Sequence, residues 1–416
     1  MTDFGISTID NLSKINFYSP QMSSNYFDTS INASNTTSFG DPSFSLAGNI
    51  STPFNPSSWF VDFSNYTYKF TVPGGVNTGG DQYLGPALYV IQGPSNFVRV
   101  IVQSKIQCNV ARFGKLSNTS NGYGMQCLAT DGYLAISQNY KTYYLHPDSS
   151  LNKIRSSVAN NNATALSGPL GSAATSYNQS FTQNITFDTP FDNPPFIFIT
   201  ESSGPIAFNG MIMDSNNKFV GASICAAPGF DRWPLAGYPP YPYAAITPKS
   251  FTFSYFIVSA DIPANSSASS YGMEVYDSSS NVTFSSKYFI PSINKLTVSM
   301  PYLQLVAQSS GGLNNFVRQN SHTLQKTATQ GVCINSFQAI TGLTCEGDIL
   351  FGSAYFGAMT LAGRYITVSP TSYTITGEPT SSIYVYAAAI YGAPSTYDFV
   401  YGQTSNIDVF LANYEY

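Results

Sequence analysis

Apolar residues fall in short runs along most of this chain, some alternating with polar residues and some continuous, and clusters of Gly, Pro, Asn and Ser separate the runs. A period of two puts alternate side chains on opposite faces of an extended strand, so each run predicts a strand and each cluster a turn. The clearest early runs are Lys69–Val72, Ala87–Ile91, Phe97–Val102 and Ile106–Phe113. Next come Asn184–Phe187, Pro194–Ile199, Ile206–Phe208, Met211–Met213, Phe219–Cys225 and Phe251–Val258. The last third adds Lys295–Val298, Pro301–Val306, Asn315–Arg318, Tyr365–Val368 and Ile383–Ile390. Residues 20–60 and 147–182 read as loop-rich. No stretch keeps an apolar period of 3.6 residues, so no helix of ordinary length is predicted.

One element recurs. Tyr271–Ser286 (YGMEVYDSSSNVTFSS) reads as a hairpin, with a half-buried strand, a polar turn and an alternating return strand. Phe4–Ser19 (FGISTIDNLSKINFYS) and Tyr123–Gln138 (YGMQCLATDGYLAISQ) align with it without gaps. Each opens on an aromatic residue and Gly, followed by Ile6, Met125 or Met273. Gly272 has no Cβ, which lets a neighbour lie close over the strand start. Asp131-Gly132 is a strong turn signal in the second copy. The return strands carry Ile15, Leu134 or Val282 and, two residues on, Phe17, Ile136 or Phe284. The copies start 119 and 148 residues apart, too far for a solenoid repeat and right for tandem domains.

A similar succession follows each hairpin: a short strand, a Pro-led apolar strand, a Gly turn, a return strand and a closing strand. The expected fold is therefore all-β, three tandem antiparallel β-sandwich domains built as a divergent internal repeat. Their expected bounds are 1–122, 123–270 with an insert at 226–249, and 271–416. Gln403–Asn406, between Phe399–Tyr401 and Val409–Leu411, reads as a degenerate fourth hairpin turn.

Composition narrows the function classes. Charged residues make up 9% and aromatic residues 15%, which favours β-structure over disorder. A surface of hydroxyls and amides suits a protein packed into a large assembly or working outside a cell. The net charge of −5 offers no basic footprint, so no nucleic-acid partner is expected. No apolar run approaches the roughly 20 residues that span a bilayer, so no membrane insertion is expected. The opening MTDFGISTID lacks the features of a signal peptide, which leads us to expect synthesis in a cytoplasm without export. Cys108, Cys127, Cys225, Cys333 and Cys345 show no C-x-x-C spacing and read mainly as buried thiols, a Cys333–Cys345 pair staying open.

Catalytic chemistry is sparse. His146 and His322 each stand without a second metal-type ligand at the right spacing, so no metal site is predicted. Neither His accompanies a nucleophile-elbow motif, and no glycine-rich phosphate loop is present, so no cofactor is expected. Asp10, Asp131, Asp214 and Asp277 fall in turns, where a carboxylate caps backbone N–H groups. The chain reads as non-enzymatic. Its candidate binding patch is the 226–249 insert, where Phe230, Trp233, Tyr238, Tyr241 and Tyr243 interleave with prolines. Such a stiff, ring-rich run stacks on sugars or protein partners at little entropic cost. It would serve equally as a cover over an open sheet edge.

The repeated Tyr-Gly hairpin resembles a signature of tailed-bacteriophage virion proteins, usually encoded among tail genes. The likeness rests on Phe4-Gly5-Ile6, Tyr123-Gly124-Met125 and Tyr271-Gly272-Met273, with the return strands at Phe17, Ile136 and Phe284. The usual turn glycine is present only as Gly132. The resemblance implies a structural virion protein assembled in the host cytoplasm, most simply a tail component near the host-binding end. It implies other virion proteins and copies of itself as partners, along with a host surface glycan or receptor. A head decoration protein is the alternative within that class. A lectin-like protein using the aromatic insert is the alternative outside it.

Overall fold

The computed structural model describes residues 136, 141–160, 183–227, 249–264, 272–298, 321–337, 364–376 and 409–415 in full, and the backbone of further strands. The described chain is all-β; its one helical turn is the 3-10 turn Ile334–Ser336. A fourteen-stranded sheet dominates. Its first strands are β1 (Tyr144–His146), β2 (Arg155–Asn160), β3 (Ile185–Phe191) and β4 (Phe196–Ser202). There follow β5 (Ile206–Met213), β6 (Phe219–Ala226) and β7 (Ser250–Ser259). Beyond residue 271 come β8 (Ile293–Ser299), β9 (His322–Gln325), β10 (Gln330–Cys333) and β11 (Gly342–Phe351). The last three are β12 (Ala354–Val368), β13 (Ser372–Ala388) and β14 (Asn406–Asn413). The spatial order is β8-β14-β10-β4-β7-β2-β6-β5-β12-β13-β9, with β1 on β7, β3 on β6 and β11 on β12 as branches.

The three hairpins read from the sequence are all present as two-stranded antiparallel ribbons, and they share one register. Ser7 faces Tyr18 and Thr8 faces Phe17, after which the register slips so that Ile9 faces Ile15. The second copy repeats this with Gln126–Ser137, Cys127–Ile136 and Leu128–Leu134. The third has Glu274–Ser285, Val275–Phe284 and Tyr276–Val282. Each slip leaves one extra residue on the return strand: Asn16, Ala135 or Thr283. A bulge at one fixed position re-aims the backbone there in every copy.

A second pattern recurs in the strands behind the hairpins. Gln107–Gly114 lies between Tyr26–Ser34 and Trp59–Asp62. β7 lies between β1 and β2 on one edge and β4 on the other. β14 lies between β8 and β10. In each third of the chain, a late strand is thus the middle of an antiparallel triplet. In the last third that strand is β14, not the expected Ile383–Ile390, whose first residues lie in β13. Val409–Leu411, expected in a fourth hairpin, pairs with β8 and β10 instead.

The second and third triplets meet where β4 pairs antiparallel with β10, Phe198 opposite Cys333 and Ile199 opposite Val332. Strand order therefore reads the same outward from this seam in both directions: flank, late strand, first strand. β5 and β12 add another pairing across residue 271, Ile206 opposite Ile366. One hydrophobic cluster accordingly runs from Tyr143 to Ala412. The continuous apolar run Phe196–Ile199 is buried on both faces, as a strand covered by layers on each side requires. Phe198 stacks on Phe256 with ring centres 5.1 Å apart. A Cβ on Gly331 would lie 2.6 Å from Phe256 and 2.8 Å from Phe198, so only glycine lets β10 approach those rings.

The sheet is mixed rather than wholly antiparallel, because β2 and β6 meet in parallel at Asn160 and Cys225. The Asn184 side chain closes that seam as a backbone surrogate. Its amide nitrogen donates to Val158 O and Ile224 O, both at 2.8 Å, and its oxygen accepts from Ile224 N at 2.9 Å. Cys225 and Cys333 are free and buried, so the Cys333–Cys345 pairing does not form.

Candidate functional site

Described in full, the third hairpin reveals how its motif residues are used. Met273 N donates to Ser286 Oγ at 2.7 Å, and Ser286 N donates back to Met273 O at 2.9 Å. A Cβ on Gly272 would fall 2.9 Å from that Oγ and from Lys287 Cγ, so the glycine makes room for the clasp. The bulged Thr283 donates its hydroxyl to Val275 O at 3.2 Å and turns its own carbonyl outward. Thr142 N, just before β1, donates to that carbonyl at 2.8 Å. Ser285 N donates to the Tyr144 hydroxyl at 2.7 Å, and Leu145 N to Phe289 O at 3.0 Å. Beneath these bonds, Ile136, Tyr144, Val275, Phe284 and Ile290 form a small core of their own. Ile136 and Phe284 hold the same position in successive hairpins, so the repeat packs against itself here.

A second feature is a pocket between the end of β1, the start of β2, the loop side of β3 and the segment after β7. β3 leaves its ladder with β6 between Thr186 and Phe191, which carries Asp188, Thr189 and Pro190 out to the rim. Arg155 reaches across the floor. It donates to His146 O at 3.3 Å and to Pro147 O at 2.9 Å, and pairs with Asp188 at 3.5 Å. Asp261 is engaged in holding the rim: its carboxylate accepts from Asp192 N at 2.7 Å and Asn193 N at 3.1 Å. His146 is buried, with its ring edge-on to Phe191 at 4.8 Å. Burial drives its pKa down to about 3, although hydrogen bonds to the main chain at Asp261 and Ser259 favour the protonated ring. The imidazole is therefore neutral at ordinary pH. Its Nε2 and the Nε of Arg155 are buried without a partner.

The sequence singled out His146 but found no companion for it. Arg155, Asp188 and Asp261 come from three separate elements, and no spacing announced them. His322, the other histidine, is exposed on β9. Of the aromatic insert, Gly229–Phe230 pairs with Ile246–Thr247 as a short ribbon. Trp233, Tyr238, Tyr241 and Tyr243, and the Phe230 side chain, lie outside the described residues. Asp214 and Asp277 take the turn role expected of them, each accepting two backbone N–H groups at 2.8–2.9 Å. Among the described residues, no three His, Cys, Asp or Glu side chains are placed to hold a metal ion. No family model, no curated protein and no solved structure matches the chain.

Proposed function

We propose that the protein is a non-enzymatic structural component of a bacteriophage virion, most simply of the tail, where it acts through interfaces in assembly and host attachment. The observation that carries this reading is the recurrence of the Tyr-Gly hairpin with one register and one bulge in three places. That hairpin is the element whose sequence resembles tail-gene virion proteins. Sparse charge and a surface of hydroxyls and amides support it, because such surfaces suit permanent packing against neighbours. The finer architecture belongs to the same proposal: three tandem sandwiches at 1–122, 123–270 and 271–416, each contributing one hairpin and one strand triplet. The protein acts as a homo-oligomer among other virion proteins. Immunogold labelling of purified particles tests the assignment. Label at the tail is expected; label confined to the head shell makes the protein a decoration component, and particles free of the protein end the virion reading.

A further inference from the structure

We propose that two copies of this chain join edge to edge through Trp59–Asp62, with Val61 of each copy facing Val61 of the other. Such pairing deepens the homo-oligomer of the virion reading, yet it stands on strand register alone, so either can fail without the other. Trp59–Asp62 takes in the first third the place that β4 and β10 take later. In the first triplet Tyr26 faces Gly114, and Trp59 faces Phe113, one position earlier on the late strand. In the second, Tyr144 faces Ser259 and Phe196 faces Val258, again one position earlier. Trp59 therefore matches Phe196, and Val61 matches Phe198. In the third, Ser292, 148 residues beyond Tyr144, accepts from Asn413 N at 3.4 Å, and Gly331 faces Ala412. Gly331 thus matches Phe196, and Cys333 matches Phe198.

These matches give the β4–β10 seam a symmetry. Phe198 faces Cys333, its own counterpart, and Ile199 faces Val332, the counterpart of Ile197. An antiparallel pair arranged about a two-fold axis through one residue position has this pattern. The seam is thus the contact of a two-fold dimer, made within one chain. Trp59–Asp62 is the remaining strand of the set. The late strand Gln107–Gly114 pairs with one of its edges, and among the described strands none pairs with the other. The 3-10 turn Ile334–Ser336 comes near without joining the ladder. An edge reading Trp-Phe-Val-Asp, with no Lys, Pro or bulge, is of the kind that recruits another strand. A second copy offers the identical strand, and the seam's register sets the fit: Val61 on the axis, Phe60 opposite Asp62. Two three-stranded sheets become one.

Oxidative cross-linking of the full chain tests this. In Val61→Cys the two new thiols stand opposite one another, so a disulfide-linked dimer is expected on non-reducing gels. In Trp59→Cys they lie four strand positions apart, roughly 13 Å. That variant should give no more dimer than the native chain, whose own cysteines set the background. Should Val61→Cys fail to fold, the native chain decides. Light scattering should then give an even number of copies. Hydrogen exchange should show protection at successive amides of Trp59–Asp62, where an unpaired edge protects only alternate ones. Equal cross-linking at both positions, a single chain or an odd number of copies, or alternating protection overturns the proposal. The edge is then left to the nearby turn or to a different protein.

Discussion

Among the described residues, three surface turns are built alike, around an aspartate whose carboxylate gathers the backbone that follows it. Asp148, Asp214 and Asp277 each accept from the N–H groups two and four residues on. The residue three places on has a positive φ: Leu151 at 67°, Asn217 at 61° and Ser280 at 65°. Asparagine tolerates that region, but leucine is strained there and Leu151 is 47% exposed with little packing to lose. Leu151→Gly is expected to stabilise the protein by about 1 kcal/mol, relief of strain outweighing the entropy of a new glycine. A urea midpoint that falls in the variant would contradict this.

His146 gives stability a pH dependence whose sign follows from its burial. The folded ring takes a proton only near pH 3, the unfolded one near 6.5. Between those values the unfolded chain holds the extra proton, so stability is lost as pH falls below about 6.5 and the loss levels off near 3. One such group contributes a slope of about 1.4 kcal/mol per pH unit. The turn aspartates are held below their ordinary value of 3.8 by hydrogen bonds, from the Asn281 side chain first at Asp277 and chiefly from backbone N–H groups at Asp148 and Asp214, and they act in the same direction only in more acid solution. Urea titrations between pH 7 and 5 should therefore show a decline that His146→Gln flattens. An unchanged slope in the variant would place the charge change elsewhere.

At the scale of elements, the repeated hairpin acts as a docking device, and its bulge is the working part. The slip at Thr283 turns a carbonyl towards Thr142, and the strand beyond it offers Ser285 N to Tyr144. Tyr144→Phe would keep the ring in its core and leave the buried Ser285 N–H unpaired, at a cost of about 1–3 kcal/mol. Thermal or urea unfolding checks this, and no loss would mean that the hydroxyl contributes nothing to docking. The hairpin and its alignment were legible because three gapless copies reinforce a weak local signal. Strands dense in Ile, Val and Phe, such as β4 and β7, were legible for a different reason: their apolar run is explicit in the sequence. β2 and Tyr26–Ser34 were not, because their polar half is Ser and Asn and looks like loop. β9 and β10 escaped notice because HTLQ and QGVC carry little apolar pattern; β10 takes its place from the seam with β4. The pocket was illegible since Arg155, Asp188 and Asp261 converge only through the break in the β3 ladder.

For the whole molecule, the sequence repeat and the packing divide the chain differently. The repeat marks a new unit at Tyr271, yet β4–β10 and β5–β12 pair across it and one core spans both sides. Asn335 stitches the seam from the third unit to the second, accepting from Ile197 N at 2.9 Å and donating to Pro195 O at 3.5 Å. Exposing this seam would uncover Phe198, Ile199, Val332 and Cys333, all buried. At roughly 1.5–3 kcal/mol for each large apolar side chain returned to water, that loss rivals the net stability of a domain. The second and third units are therefore expected to fold as one body. Denaturant unfolding of the fragment 123–270, set beside 123–416, tests that most directly. A single cooperative transition in 123–416 and none in 123–270 is the expected result, whereas a cooperative transition of comparable stability in 123–270 alone would contradict it.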